Sequence, residues 1–231
     1  MLLGGFTLMH GAEELIIPAS AQRLIAFLGL RERPLSRPYV AATLWPNRSA
    51  ERSLADLRTA LWRANRSLVP VISTMGMRLR LRPEVQVDTD KLAPLGHGTS
   101  PLTPPSFITR LAEFSLAELS SDLLPDWYDA WLIEDRESVR QLRLHAVEGL
   151  ACEFTMLGRH TEAIHAALTA VKLEPLRETA RTALIRAYLA EGNRSEALRQ
   201  FNHYRQLLSA ELGVEPSGLI RDLVRNGVLP A

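Results

Sequence analysis

Six positions in the C-terminal half of the chain recur after 34 residues. Leu150, Phe154, Gly158, Glu162, Ala163 and Ile164 return as Leu184, Tyr188, Gly192, Glu196, Ala197 and Leu198. A period of this length belongs to stacked helix pairs. Each pair buries its apolar face only against its neighbours, so the repeat leaves few other architectures open. In this register Gly158 and Gly192 end one helix and permit a tight turn, and the small Ala163 and Ala197 let the next helix pack close. Pro175 breaks the chain between pairs. Helical periodicity also runs through Ser106–Leu119 and Asp126–Phe154, so the second half is expected to be a small helical solenoid with capped ends.

The first half reads differently. Leu2–Leu8 and Glu14–Ile17 have the pattern of two short strands joined at His10-Gly11, and Ser20–Leu30 follows with Leu24, Phe27 and Leu28 at helical spacing. Ser36 caps a short helix that ends at Trp45-Pro46, and Ser49 or Ala50 opens a longer one reaching about Leu68, before Pro70. Val71–Thr74 and Met77–Leu81 flank Met75-Gly76 as a hairpin. The order strand, strand, three helices, hairpin is that of a winged helix-turn-helix. The segment KLAPLGHGTSPLTPP, rich in Pro, Gly, Ser and Thr, reads as a connector. The expected organisation is a winged helix-turn-helix over 1–92, a connector over 93–106 and an all-α, tetratricopeptide-like domain over 107–231. The fold class is mostly α with a small β part.

Charge separates the halves. Residues 1–100 carry 13 Lys+Arg against 8 Asp+Glu, and the remainder carries 14 against 18. Between Ala19 and Pro83 there are twelve arginines and three acids. On a helix over 50–68, Leu54, Leu57, Leu61, Ala64 and Leu68 share one face, and Arg52, Ala55, Thr59, Arg63 and Arg66 the opposite one. As the third helix of a winged helix-turn-helix, this element enters the DNA major groove. Arg52 and Arg63 have the fork that pairs with guanine O6 and N7, and Thr59 suits a thymine methyl or a base edge. Arg66 is expected on phosphate. Arg48 and Ser49, at the positive end of the helix, suit a phosphate as well. Asp56 lies near the exposed face, where repelling phosphate and accepting from cytosine N4 are both open to it. In the hairpin, Arg78, Arg80 and Arg82 alternate with Leu79 and Leu81, a pattern that sends the leucines inward and the arginines out. Arg78 and Arg80 are the wing candidates, and Trp62 is expected to pack at the wing.

Other chemistries find no support. There is no GxxxxGK[ST], HExxH or GxSxG motif, so no enzyme and no cofactor are expected. The six histidines are scattered, and no metal site is expected. Carboxylates crowded at Asp126, Asp129, Glu134 and Asp135 suit a helix start. Cys152 is the single cysteine, which excludes an intramolecular disulfide. No apolar run reaches the roughly 18 residues of a membrane span, and MLLGGFTLMHG lacks a basic leader. A cytoplasmic location without a membrane partner follows as the expectation.

These residues resemble a known family, the SARP-type bacterial transcriptional activators (Streptomyces antibiotic regulatory proteins). The likeness is carried by LLGGFTL, PASAQRLIAFLGL, PLSRPYVAATLWP and LRTALWR in the first half. In the second half it is carried by LLPDWYDAWL, RESVRQLRLHAVEGLA, LGRHTEAI, LEPLRETA, LAEGNRSEALRQF and ELGVEPS. Such proteins join an OmpR-type winged helix to a bacterial transcriptional activator domain. The resemblance implies a sequence-specific activator that binds double-stranded DNA at tandem sites and helps recruit RNA polymerase; a homodimer on DNA is compatible with it. The chain departs from the family at the wing tip, where Met77 follows the glycine in place of the usual aromatic. Trp127, Tyr128 and Trp131 are candidates for contact with a partner or between domains: a docking surface for polymerase or a peptide, or an anchor that pins the helical half. A competing reading is a protein-interaction adaptor whose winged helix does not bind DNA. Pairing of Arg78, Arg80 and Arg82 with carboxylates of the helical half would favour it.

Overall fold

The computed structural model describes residues 1–66, 69–92 and 116–228. Two compact units emerge, one of Met1–Lys91 with Ser121–Arg140, the other of Leu92–Ser120 with Gln141–Ala231. The expected connector over 93–106 lies outside the described residues.

In the first unit the elements are β1 (Met9–His10), β2 (Glu13–Glu14), α1 (Ala19–Gly29), β3 (Leu35–Ser36), α2 (Arg37–Leu44), α3 (Ala50–Asn65), β4 (Ile72–Met75) and β5 (Arg78–Leu81). The order expected from sequence is present with one addition, β3 between α1 and α2, and the opening strands are shorter and shifted, β1 lying beyond the expected Leu2–Leu8. Pairing is confined to Met9 with Glu14 and His10 with Glu13. The reason is where the preceding backbone donors go. The amides of Leu2 and Leu3 donate to the Asp88 carboxylate at 2.8–2.9 Å, and Gly4 donates to the carbonyl of Asp122 at 2.8 Å. With those groups satisfied elsewhere, no ladder forms over Leu2–Leu8.

Strand β5 lies between β3 and β4, antiparallel to both. Leu79 on β5 stands opposite Leu35, and both are buried. Around them α1 contributes Leu24, Ile25, Phe27 and Leu28, and α3 contributes Leu57, Ala60, Leu61 and Ala64. The caps act where the sequence put them. Ser36 accepts from the amide of Tyr39 to start α2, and Ser49 accepts from that of Arg52 to start α3. Helix α3 ends at Asn65, before the expected Leu68, which lies outside the described residues. The Asn65 amide donates to the Ile72 carbonyl at 3.1 Å and accepts from the Ile72 amide at 3.0 Å. One side chain thus ties the end of α3 to the start of the hairpin.

Residues 121–140, placed by sequence in the helical half, cluster with this first unit. Leu123 bridges to Leu3, and Leu124 donates to the carbonyl of Leu2 at 3.0 Å. The helix expected from Asp126 begins only at Leu132. Before it, the Arg136 guanidinium collects the carbonyls of Leu123, Leu124 and Trp127, which holds the chain in a turn, with Leu124 at φ 43°.

The second unit is helical among its described residues: α4 (Leu116–Ser120), the later part of α5 (Leu132–Met156), α6 (His160–Leu173), α7 (Glu178–Glu191), α8 (Arg194–Leu212) and α9 (Gly218–Val228). The repeat register holds. Gly158 at φ 71° and Gly192 at φ 86° close α5 and α7 in the left-handed conformation that favours glycine. Ala163, Ala166, Ala167 and Ala170 of α6 are buried, as close helix packing requires. Ile185, Ala197, Phe201, Tyr204, Leu208, Ile220 and Val224 make a further core across α7, α8 and α9.

Candidate nucleic-acid interface

Helix α3 buries Ser53, Leu57, Ala60, Leu61 and Ala64. That leaves Arg52, Arg58, Thr59, Trp62, Arg63 and Arg66 exposed around the other side. The amphipathic division read from the sequence is therefore the division in the fold. The polar side is not uniform, and its contacts sort it into four parts.

At the start of the helix, Arg48 approaches Asp56 at 3.8 Å, with both side chains substantially exposed. An ion pair this loose in water contributes about 0–1 kcal/mol, so a phosphate can displace Asp56 with little loss. Ser49 is engaged as the cap. Along the middle, Arg52 stands free of carboxylates among the described residues. The Thr59 hydroxyl donates to the Ala55 carbonyl at 3.1 Å. Its oxygen remains an acceptor and the residue is exposed, which suits an amino group or a thymine methyl. On one flank Arg63 donates to the Ser20 hydroxyl at 3.2 Å, toward the beginning of α1.

The other flank faces the hairpin. Trp62 is not a packing residue there, as expected from sequence; it is 59% exposed. The Arg66 guanidinium lies 4.7 Å from the centre of its ring. Arg37, Arg58 and Thr74 join these two around an open recess of about 340 Å³. Arg37, Arg58 and Trp62 were not among the sequence candidates. The spacing of Arg58, Trp62 and Arg66 was a readable signal. The approach of Arg37 was not, because it depends on the Arg37 amide donating to the Met77 carbonyl at 2.9 Å across the hairpin turn.

The wing row is uneven. Arg78 is exposed, beside Ser36 and Met75 in the sheet register. Arg80 is half-buried, with its Nε out of solvent and without a hydrogen bond among the described residues. Arg82 is exposed and pairs with Glu84 of its own hairpin at 3.3 Å. The expected outward row thus holds for Arg78 and Arg82, and Arg80 leans into the structure. Leu79 is fully buried, as the alternation requires.

The aromatic triplet divides. Trp127 stacks on Phe6 with centroids 6.1 Å apart, and Trp131 meets Phe27 edge-on. Tyr128 is 93% exposed. Because Asp126–Trp131 is not helical, Trp127 and Trp131 do not share a helix face as their spacing suggested. Among the described residues no cluster of three or more His, Cys, Asp or Glu could hold a metal ion, and no helix is long and apolar enough to cross a membrane.

Comparison with known proteins adds three findings. Residues 109–226 match the model of the bacterial transcriptional activator domain. A solved structure described as Mycobacterium tuberculosis EmbR in complex with low affinity phosphopeptide is similar over the whole chain, with a TM-score of 0.72 and 18% sequence identity. The chain spans 65% of the length of that structure. No curated protein matches the chain.

Proposed function

The chain belongs to the bacterial transcriptional activator domain family, and from that premise we propose that it is a transcriptional regulator that binds double-stranded DNA through its winged helix. One observation carries the reading: how the arginines of the first unit are divided. Arg23 and Arg31, on α1 and just after it, are each held by an aspartate, Asp129 and Asp135. Around α3 and the hairpin Arg37, Arg52, Arg58, Arg63, Arg66, Arg78 and Arg80 have no carboxylate partner among the described residues. Seven cations without a counter-charge around α3 and the hairpin suit a polyanion. Within that surface, Arg52, Thr59 and Arg63 are the base-reading candidates. Arg48, Ser49, Arg66, Arg78 and Arg80 are the backbone candidates.

The finer reading is activation at tandem promoter sites, in the cytoplasm, with help in recruiting RNA polymerase. Tyr128 supports a partner contact, since its two tryptophan neighbours are engaged within the unit and it is not. The second reading is an adaptor whose winged helix does not bind DNA; against it, within the winged-helix unit Arg82 pairs with Glu84, and Arg78 and Arg80 have no carboxylate partner among that unit's described residues.

The test is selection of bound duplexes from a random pool, followed by mobility shift of the selected duplex across salt. Binding through about six phosphates weakens by about 10³-fold between 50 and 200 mM salt. An empty selection, or binding indifferent to salt, overturns the reading.

A further inference from the structure

Arg58, Trp62 and Arg66 follow each other at intervals of four along one flank of α3. The recess they border with Arg37, Asn65 and Thr74 has three guanidinium groups and no carboxylate in its lining. Cations gathered without a counter-charge repel one another, and an anion among them relieves that repulsion. The recess is also preorganised. Stacking on Trp62 restrains Arg66, whose long side chain would otherwise lose freedom on binding. Asn65 is fixed by its two hydrogen bonds to Ile72, and Arg37 is tied through its amide to the turn of the hairpin. The Arg37 Nε is shielded from solvent and has no hydrogen-bond partner among the described residues.

We propose that this recess is a seat for one phosphodiester of the DNA backbone. Arg37 and Arg58 bracket the phosphate, Trp62 is a positioning residue that holds Arg66 as a ready fork, and the exposed indole edge meets the adjoining deoxyribose. The proposal rests on the DNA-binding reading and refines it, because this flank of α3 then grips the backbone and reads no base. The contacts to bases fall to the rest of the polar face.

The experiment uses the full chain, a fluorescent duplex recovered by selection and a scrambled duplex of the same length. Binding is followed by anisotropy as a function of salt. Arg37→Ala and Arg58→Ala are each expected to weaken both duplexes by the same factor, about tenfold, and to reduce the salt slope by about 1. Trp62→Ala is expected to act like Arg66→Ala, with Trp62→Phe restoring most of the loss. Single methylphosphonate replacements along the duplex add a readout that a structural role cannot move. One position is expected to weaken the unaltered chain but not Arg58→Ala. If the unaltered chain binds while Arg58→Ala keeps its affinity and salt slope, the recess is not the seat and the DNA reading stands. A methylphosphonate scan with no position masked by Arg58→Ala overturns the proposal equally. Failure of the unaltered chain to bind any duplex overturns the DNA reading itself, which is a separate result. Should half-buried Arg37→Ala fail to fold, exposed Arg58→Ala still decides.

Discussion

The indole of Trp131 meets the ring of Phe27 edge-on, with centroids 5.1 Å apart and planes inclined by 78°. Phe27 is fully buried in α1, so a residue more than a hundred positions later completes the core of the winged-helix unit. Aromatic pairs in this arrangement contribute about 0.5–1.5 kcal/mol beyond the area they bury. Trp131→Ala also opens a hole beside Phe27. The expected loss is about 3 kcal/mol, as for other large aromatic truncations. It is read as a lower urea midpoint of the transition that carries this unit.

The same attachment has a polar part. Arg31 forms two hydrogen bonds with the Asp135 carboxylate, at 2.7 and 3.0 Å, and its guanidinium lies 4.8 Å from the Phe27 ring centre. Both side chains are about one-fifth exposed, so solvent screens the pair only in part. Arg31→Ala and Asp135→Ala are each expected to cost about 1–2 kcal/mol. A double-mutant cycle in urea measures the coupling, and a coupling near zero would show that the pair is incidental.

Much of this architecture was legible in the chain. Ser36 and Ser49 start their helices because a short polar side chain followed by apolar periodicity has one local solution. Gly158 and Gly192 announced the repeat because only glycine takes the left-handed turn easily. The misreadings share another cause: each was decided by a partner distant in sequence. Leu2–Leu8 is not a strand because Asp88 and Asp122 take its first donors. Asp126–Trp131 is not helical because Arg136 gathers the carbonyls ahead of it. Trp62 looked like a packing residue by type, yet it lies on a flank of α3 whose neighbour is an arginine rather than a core.

Asn65 offers a test of how the site is assembled. Its two hydrogen bonds to Ile72 tie the end of α3 to β4. Asn65→Ala removes both and leaves the Ile72 amide and carbonyl without that partner. The expected cost is about 1–3 kcal/mol in urea denaturation. Affinity for duplex DNA is expected to fall as well, since the hairpin and α3 are then less firmly registered. Asn65→Asp keeps the acceptor but loses the donor, and an intermediate loss is expected.

In the helical unit, Glu153 is 5% exposed, and its Oε1 has no hydrogen-bond partner among the described residues. Burial raises its pKa above the ordinary glutamate value. The folded chain therefore keeps this proton at a pH where the unfolded chain has released it. Between the ordinary value and the raised one the folded state binds more protons, so stability falls as pH rises through that window. Glu153→Gln removes the ionisation. The variant is expected to gain about 1 kcal/mol at neutral pH and to flatten this part of the stability curve. A glutamine variant with the slope of the unaltered chain would assign the effect to another group.

Arg63 and Arg66 separate base reading from backbone grip. Among the described residues Arg63 is tethered only to the half-buried Ser20 hydroxyl, at 3.2 Å, and can swing to a base edge by giving up one weak contact. Arg66 is stacked on Trp62 at the rim of the phosphate recess. Arg63→Ala is expected to lose about 1–3 kcal/mol of discrimination at one base pair and little affinity for a scrambled duplex. Arg66→Ala is expected to weaken all duplexes alike and to lower the salt slope by about 1. Ser20→Ala is the control for the tether: it frees Arg63 without removing a cation, so affinity for the selected duplex holds or rises. Repeating the duplex selection with each variant distinguishes the two roles, because only Arg63→Ala should relax one position of the recovered sequence.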